Sequence, residues 1–113
     1  MARAKSDAQA ERLYQRELIK RIKRAIPGCI VLKNDSGYLQ GIPDLTILYM
    51  DRWGTLEVKA SEYSDDQPNQ EYYVEKMNEM SYSSFIYPEI EEEVLNGLEQ
   101  ALLARRPTRL SER

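Results

Sequence analysis

Between residues 8 and 26 no Pro or Gly interrupts the chain, and Tyr14, Leu18, Ile22 and Ala25 recur at the three- and four-residue spacing of one helical face. Leu13, Ile19 and Ile26 widen that stripe, so a long amphipathic helix is predicted, with Ser6 or Asp7 as its N-cap and Pro27-Gly28 as its stop. Residues 29–33 (CIVLK) are short, apolar and β-branched, and read as a strand; residues 34–41 (NDSGYLQG) then form a loop. Residues 42–50 and 55–60 are rich in β-formers and are separated by a turn at 51–54, which predicts two adjacent strands paired antiparallel. A polar loop at 61–69 contains Pro68, and Tyr73, Val74 and Met77 mark a second helix over 70–80. Residues 84–87 (SFIY) supply a fourth strand. Pro88 opens a last helix whose first turn carries Glu89, Glu91, Glu92 and Glu93, as the positive end of a helix dipole favours. The order αβββαβα predicts an α/β fold with a central mixed β-sheet flanked by helices.

A length of 113 residues, with 42% hydrophobic and 31% charged positions, suits one small domain. We place that domain at 8–104, between a flexible basic arm at 1–7 and a loose basic tail at 105–113. No apolar run approaches the roughly 18 residues of a membrane span, and no apolar stretch follows the first positive charges; a cytoplasmic protein without membrane partners is expected. The single cysteine, Cys29, and the absence of histidine remove zinc fingers, Ser-His-Asp and Cys-His catalysis. Chemistry, if present, runs on carboxylates, lysine, arginine or tyrosine.

The net charge of -3 conceals segregation along the chain. Residues 1–33 hold nine Lys/Arg against three Asp/Glu, 34–100 hold three against fifteen, and 101–113 hold four against one. Basic ends around an acidic middle fit either plain solubility patterning or polyanion binding around an acidic metal site. Arg12, Arg16, Lys20, Lys23 and Arg24 lie around the polar side of the first helix, where solvation is the default use and phosphate binding the alternative. Lys33 belongs to the same basic set. Gly41 either shapes a turn or lets backbone approach a phosphate.

The chemistry concentrates in GIPDL at 41–45 and LEVKA at 56–60. Alternation along a strand sends Glu57 and Lys59 to one face and Val58 to the other, and antiparallel pairing brings Asp44 alongside. Carboxylates are hard oxygen ligands suited to Mg²⁺. An isolated E-x-K triplet is more often a solvated strand face with a weak ion pair; Asp44 is what changes that reading.

GIPDL followed by LEVKA resembles the signature of the PD-(D/E)xK nucleases, and more narrowly of their VRR-NUC branch, in which a G-x-P-D turn, an E-x-K strand and a P-x-Q helix start succeed one another. Pro68-Asn69-Gln70 matches the last element, and the resemblance spans roughly residues 8–95. It implies a restriction-endonuclease-like fold, with Asp44, Glu57 and the main-chain carbonyl of Val58 binding Mg²⁺ or Mn²⁺. Lys59 would position or deprotonate the attacking water, and Gln70 would orient the site. The family also uses an acid on its first helix, for which Glu11 and Glu17 compete. Glu11 lies on the line of Leu18 and Ile22, where a carboxylate needs a cation, and with Gln15 it matches the family's E-x-x-x-Q spacing, so Glu11 is chosen.

The expected function is a metal-dependent endonuclease that hydrolyses DNA phosphodiesters. With no appended domain to read sequence, shape-specific cutting of branched DNA such as a Holliday junction is favoured. Stand-alone members of the group look like phage or viral junction-resolving dimers, which implies a homodimer joined through the first helix or the strand after it. A nicking, restriction-type or end-processing nuclease, and a non-catalytic nucleic-acid-binding module on the same fold, are the alternatives. Tyr72, Tyr73 and the other tyrosines are read as core or edge packing, with base stacking as their other possible use.

Overall fold

The computed structural model describes residues 2–104 and gives the order α1 (Ala2–Ala25), β1 (Ile30–Lys33), β2 (Leu45–Tyr49), β3 (Arg52–Val58), α2 (Gln70–Met80), β4 (Tyr82–Ile86) and α3 (Glu91–Leu103), with a short 3-10 turn at Pro88–Ile90 before α3. This is the expected α/β order. The tail at 105–113 lies outside the described residues. No described helix is long and apolar enough to cross a membrane.

Several boundaries move, each for a local reason. The backbone of α1 begins at Ala2, so residues 2–7 continue the helix instead of forming an arm, and Ser6 and Asp7 lie inside it rather than capping it. The segment is rich in Ala, holds neither Gly nor Pro, and propagates the helix without needing a cap. Gly28, with φ +91°, ends the helix in the left-handed conformation beside Pro27. The turn between the second and third strands tightens to Met50 and Asp51, because Tyr49 pairs directly with Arg52. Residues 52–54 therefore join β3 rather than the expected turn, and Met50 takes up the reversal with φ +55°.

The four strands lie in sequence order. The pairs β1·β2 and β2·β3 are antiparallel, and β3·β4 is parallel with α2 as its crossover. The core packs α1 and α3 against one face of the sheet. Leu18 and Ile22 of α1, Ile26 just after it, Leu45, Ile47, Leu56, Val58 and Ile86 of the sheet, and Leu98 of α3 are all fully buried. Leu13 does not widen this stripe: it is 56% exposed, since its position falls about 140° round the helix from Leu18's line. Arg21 joins the two helices through both carboxylate oxygens of Glu91, at 2.5 and 2.9 Å, and Tyr14 donates to the same carboxylate at 2.9 Å. On the opposite face α2 covers β3 and β4, where Thr55 donates to Ser83 at 2.7 Å.

Candidate active site

Strand alternation places Leu56 and Val58 in the core and turns Thr55 and Glu57 toward α2. The β2·β3 register pairs Leu45 with Leu56, so the next row sets Asp44 opposite Glu57. The β1·β2 register continues likewise from Lys33–Leu45 to Asn34–Asp44, and the Asn34 N–H donates to the Asp44 carbonyl at 2.8 Å. Asp44 turns its carboxylate across the end of the ladder, where Oδ2 accepts the Val58 N–H at 2.8 Å. The three expected residues thus converge at one end of the sheet, with Lys59 one residue beyond β3 and held to β4 by its N–H on the Ile86 carbonyl at 2.9 Å.

Glu57 is 2% and Lys59 5% exposed, so neither belongs to a solvated strand face. Gln70, the first residue of α2, joins them: its Nε2 donates to Glu57 Oε2 at 2.8 Å, and its Oε1 accepts from Lys59 Nζ at 2.5 Å and from the Gln67 N–H at 2.8 Å. Lys59 Nζ also donates to the Asp65 carbonyl at 3.0 Å and stands 3.8 Å from Asp66 Oδ1. The other oxygen of Glu57, Oε1, is buried and accepts no hydrogen bond from the described residues. Burial and then the adjacent Asp44 carboxylate push the Glu57 carboxyl up to about 9, against a smaller opposing pull from Lys59. At neutral pH the metal-free site therefore holds a proton that an ordinary glutamate would release.

Glu11 and Glu17 separate clearly. Glu11 is half-buried in a cleft of about 400 Å³ whose lining includes Asp7, Ala8, Lys59, Gln67 and Gln70, and its carboxyl is raised first by burial and next by Asp44. Glu17 is exposed and paired with Lys20 at 3.2 Å. Of the two glutamates, Glu11 lines the cleft, together with Asp7 one turn earlier.

A divalent cation fits the donor chemistry of this end of the sheet. Asp44 and Glu57 would hold it with the Val58 carbonyl between them, and the buried, unpartnered Glu57 Oε1 is an oxygen that a hard cation would satisfy. Among the described residues no three Asp, Glu, His or Cys side chains form a ready metal cage. Two carboxylates, with Glu11 lining the cleft beside them as a further oxygen donor, would suit an ion such as Mg²⁺ that keeps several waters.

The basic set divides. On α1, Arg12, Arg16 and Lys23 are exposed and fall within about 40° of one another, roughly a third of a turn round from Glu11. Lys20 and Arg24, also exposed, lie further round. Lys33 is exposed at the sheet edge, yet in the row of Leu45 and Leu56, so alternation sends it to the face opposite Asp44 and Glu57. Gly41 is not open to a phosphate. It is buried with φ +92°, and a Cβ there would come within 2.6 Å of Asn69 Cβ and 2.8 Å of the Pro68 carbonyl. Its backbone approach is to the start of α2, which sets the GIPD turn against the loop carrying Gln70.

Two contributors carried little sequence signal. Asn34 donates through Nδ2 to the Pro43 carbonyl and to Thr46 Oγ1, both at 2.8 Å, and so fixes the turn before Asp44. The Asp65 contact to Lys59 is made by a main-chain carbonyl, which no residue type announces. No family model matches the chain, and no curated protein or solved structure matches it significantly.

Proposed function

We propose that this chain is a Mg²⁺- or Mn²⁺-dependent DNA endonuclease of the PD-(D/E)xK kind, of the VRR-NUC branch, acting on branched DNA. The observation that carries the reading is the Asp44–Glu57–Gln70–Lys59 constellation: Asp44 beside Glu57, whose one oxygen is buried and unpartnered among the described residues and whose other is linked to a buried ammonium by one amide side chain. The order αβββαβα with a mixed sheet supports a restriction-endonuclease-like architecture.

Each side chain has a task within that reading. Asp44 and Glu57 hold the ion, and Glu11 adds negative charge at the cleft. Lys59, fixed by Gln70 and the Asp65 carbonyl, stabilises negative charge that develops on a phosphate oxygen or on the attacking water. The ion, when bound, polarises the phosphate and favours ionisation of water at neutral pH. Arg12, Arg16 and Lys23 give the sugar-phosphate backbone a path beside the cleft. A homodimer accords with paired strand cutting and with the apolar side chains left uncovered: β1 is an edge strand with Ile30 57% and Leu32 43% exposed.

The test is cleavage of a labelled four-way junction, a flap, a nicked duplex and a plain duplex, with Mg²⁺, Mn²⁺ or chelator, by the wild type and Asp44→Asn. Metal-dependent paired cutting of the junction, lost in Asp44→Asn, is expected. Cutting of another substrate alone changes the task. Binding without cutting under every metal points to a non-catalytic module. A monomeric mass by light scattering, with and without DNA, would count against paired cutting.

A further inference from the structure

Lys59, Ser64 and Asp65 line two clefts. The second, of about 410 Å³, lacks Glu11 from its lining and has instead Phe85 of β4 and the following Tyr87, together with Glu62, Asp66 and Glu71. Phe85 carries the Lys59 ammonium 6.0 Å from its ring centroid, so the aromatic surface begins at the edge of the catalytic constellation. We propose that this second cleft takes an unpaired nucleobase bearing an amino group, from the nucleotide next to the scissile phosphate. The inference rests on the nuclease reading and names a feature of its substrate.

Charge decides which part of a nucleotide can enter. Four acidic residues in the lining, Glu62, Asp65, Asp66 and Glu71, against one ammonium already engaged by Gln70 and the Asp65 carbonyl, repel a phosphate. The backbone is therefore kept to the α1 side, where Arg12, Arg16 and Lys23 are exposed. A neutral base carries no such penalty, and its flat face can stack on an aromatic side chain. Carboxylates at the rim select among bases. Cytosine, adenine and guanine offer amino donors, whereas thymine offers one N–H flanked by two carbonyl oxygens that face the carboxylates unfavourably. A volume of about 410 Å³ lies within the ordinary range of small-ligand sites. Because a paired base cannot leave the stack without cost, the cleft favours substrates with unpaired nucleotides at the cut, such as flaps and branch points.

The test starts from a substrate that the wild type cuts, with the cut mapped. The nucleotide on each side of it is replaced in turn by A, C, G, T or an abasic unit. On one side, A, C and G should be cut roughly tenfold faster than T or the abasic unit. Tyr87→Ala should bring the amino-bearing substrates down to the abasic rate and leave the abasic rate unchanged, while Tyr87→Phe, which keeps the stacking face, preserves the preference. Equal rates for all five, or a preference that survives Tyr87→Ala, would overturn the proposal. If nothing is cut, the same question is read by fluorescence anisotropy on short single strands of dC, of dT and of abasic units. Tighter binding of dC that Tyr87→Ala abolishes would support the cleft and sink the nuclease reading. Equal binding of all three would sink both.

Discussion

Asp44 and Glu57 stand opposite each other one row past the end of the β2·β3 ladder, and the Asp44 carboxylate accepts the N–H of the residue after Glu57 at 2.8 Å. One carboxylate is thus fixed by the backbone that positions the other. Rigid register leaves neither free to swing away, and their mutual repulsion is built into the fold.

Burial of Glu57 and, after it, that repulsion make stability depend on pH in an unusual direction. Glu57 has its folded value raised to about 9 from 4.5, so the folded state binds the proton more tightly than the unfolded chain. The metal-free fold therefore loses stability as pH rises from about 4.5 toward 9. Glu57→Gln, which mimics the protonated form, should raise Tm at pH 8 by about 5 °C, the equivalent of roughly 1 kcal/mol for a domain of this size, with little change at pH 4. Mg²⁺ should raise Tm of the wild type at pH 8 more than at pH 5, and should leave Glu57→Gln almost unmoved. Equal Mg²⁺ shifts in the two proteins would remove Glu57 from the ion site.

Lys59 acts on developing charge rather than on substrate placement. Lys59→Met, which keeps the buried stem, should bind junction DNA within about threefold of wild type while cutting slows by at least about 100-fold, as loss of a charge-stabilising donor does. Normal cutting would refute its role. Gln70→Leu should resemble it in cleavage, because that change removes the partner shared by Glu57 Oε2 and Lys59 Nζ.

Gly41→Ala tests the seam between the GIPD turn and α2. The added methyl would meet Asn69 and Pro68 at under 3 Å in a backbone conformation with φ +92°. A loss of about 2 kcal/mol in urea unfolding is expected, from strain at this position. Cleavage should fall as well in the fraction that stays folded, since Gln70 follows directly on Asn69. An unchanged unfolding midpoint would show that the seam can open freely.

Glu91 is the opposite electrostatic case to Glu57. Burial raises its carboxyl, but hydrogen bonds from Arg21 and Tyr14 outweigh that and hold it below the ordinary value. The contribution is present above about pH 4.5 and is lost as pH falls through the depressed folded value. Glu91→Gln should cost about 1 kcal/mol at pH 7, discounted because the Arg21 side chain is a third exposed, and nothing near pH 2. Urea unfolding at the two pH values measures the difference.

The residue order alone determined the elements and their succession, because helical and strand periodicities are local and Pro27, Gly28 and Pro68 punctuate them. It also selected Glu11 over Glu17, since the angle round a helix follows from spacing. Asp44, Glu57 and Lys59 were legible as a group for a similar reason: one turn and strand alternation suffice to bring them together. Tertiary structure decided what spacing cannot express. The close packing of Gly41 on Asn69 joins two loops, the Asn34 brace and the Asp65 carbonyl on Lys59 each close one, and all three involve main-chain atoms common to every residue. The face on which Lys33 stands depends on register with a neighbouring strand, and the protonation of Glu57 depends on how much water three elements exclude. Those quantities exist only once the chain has closed on itself.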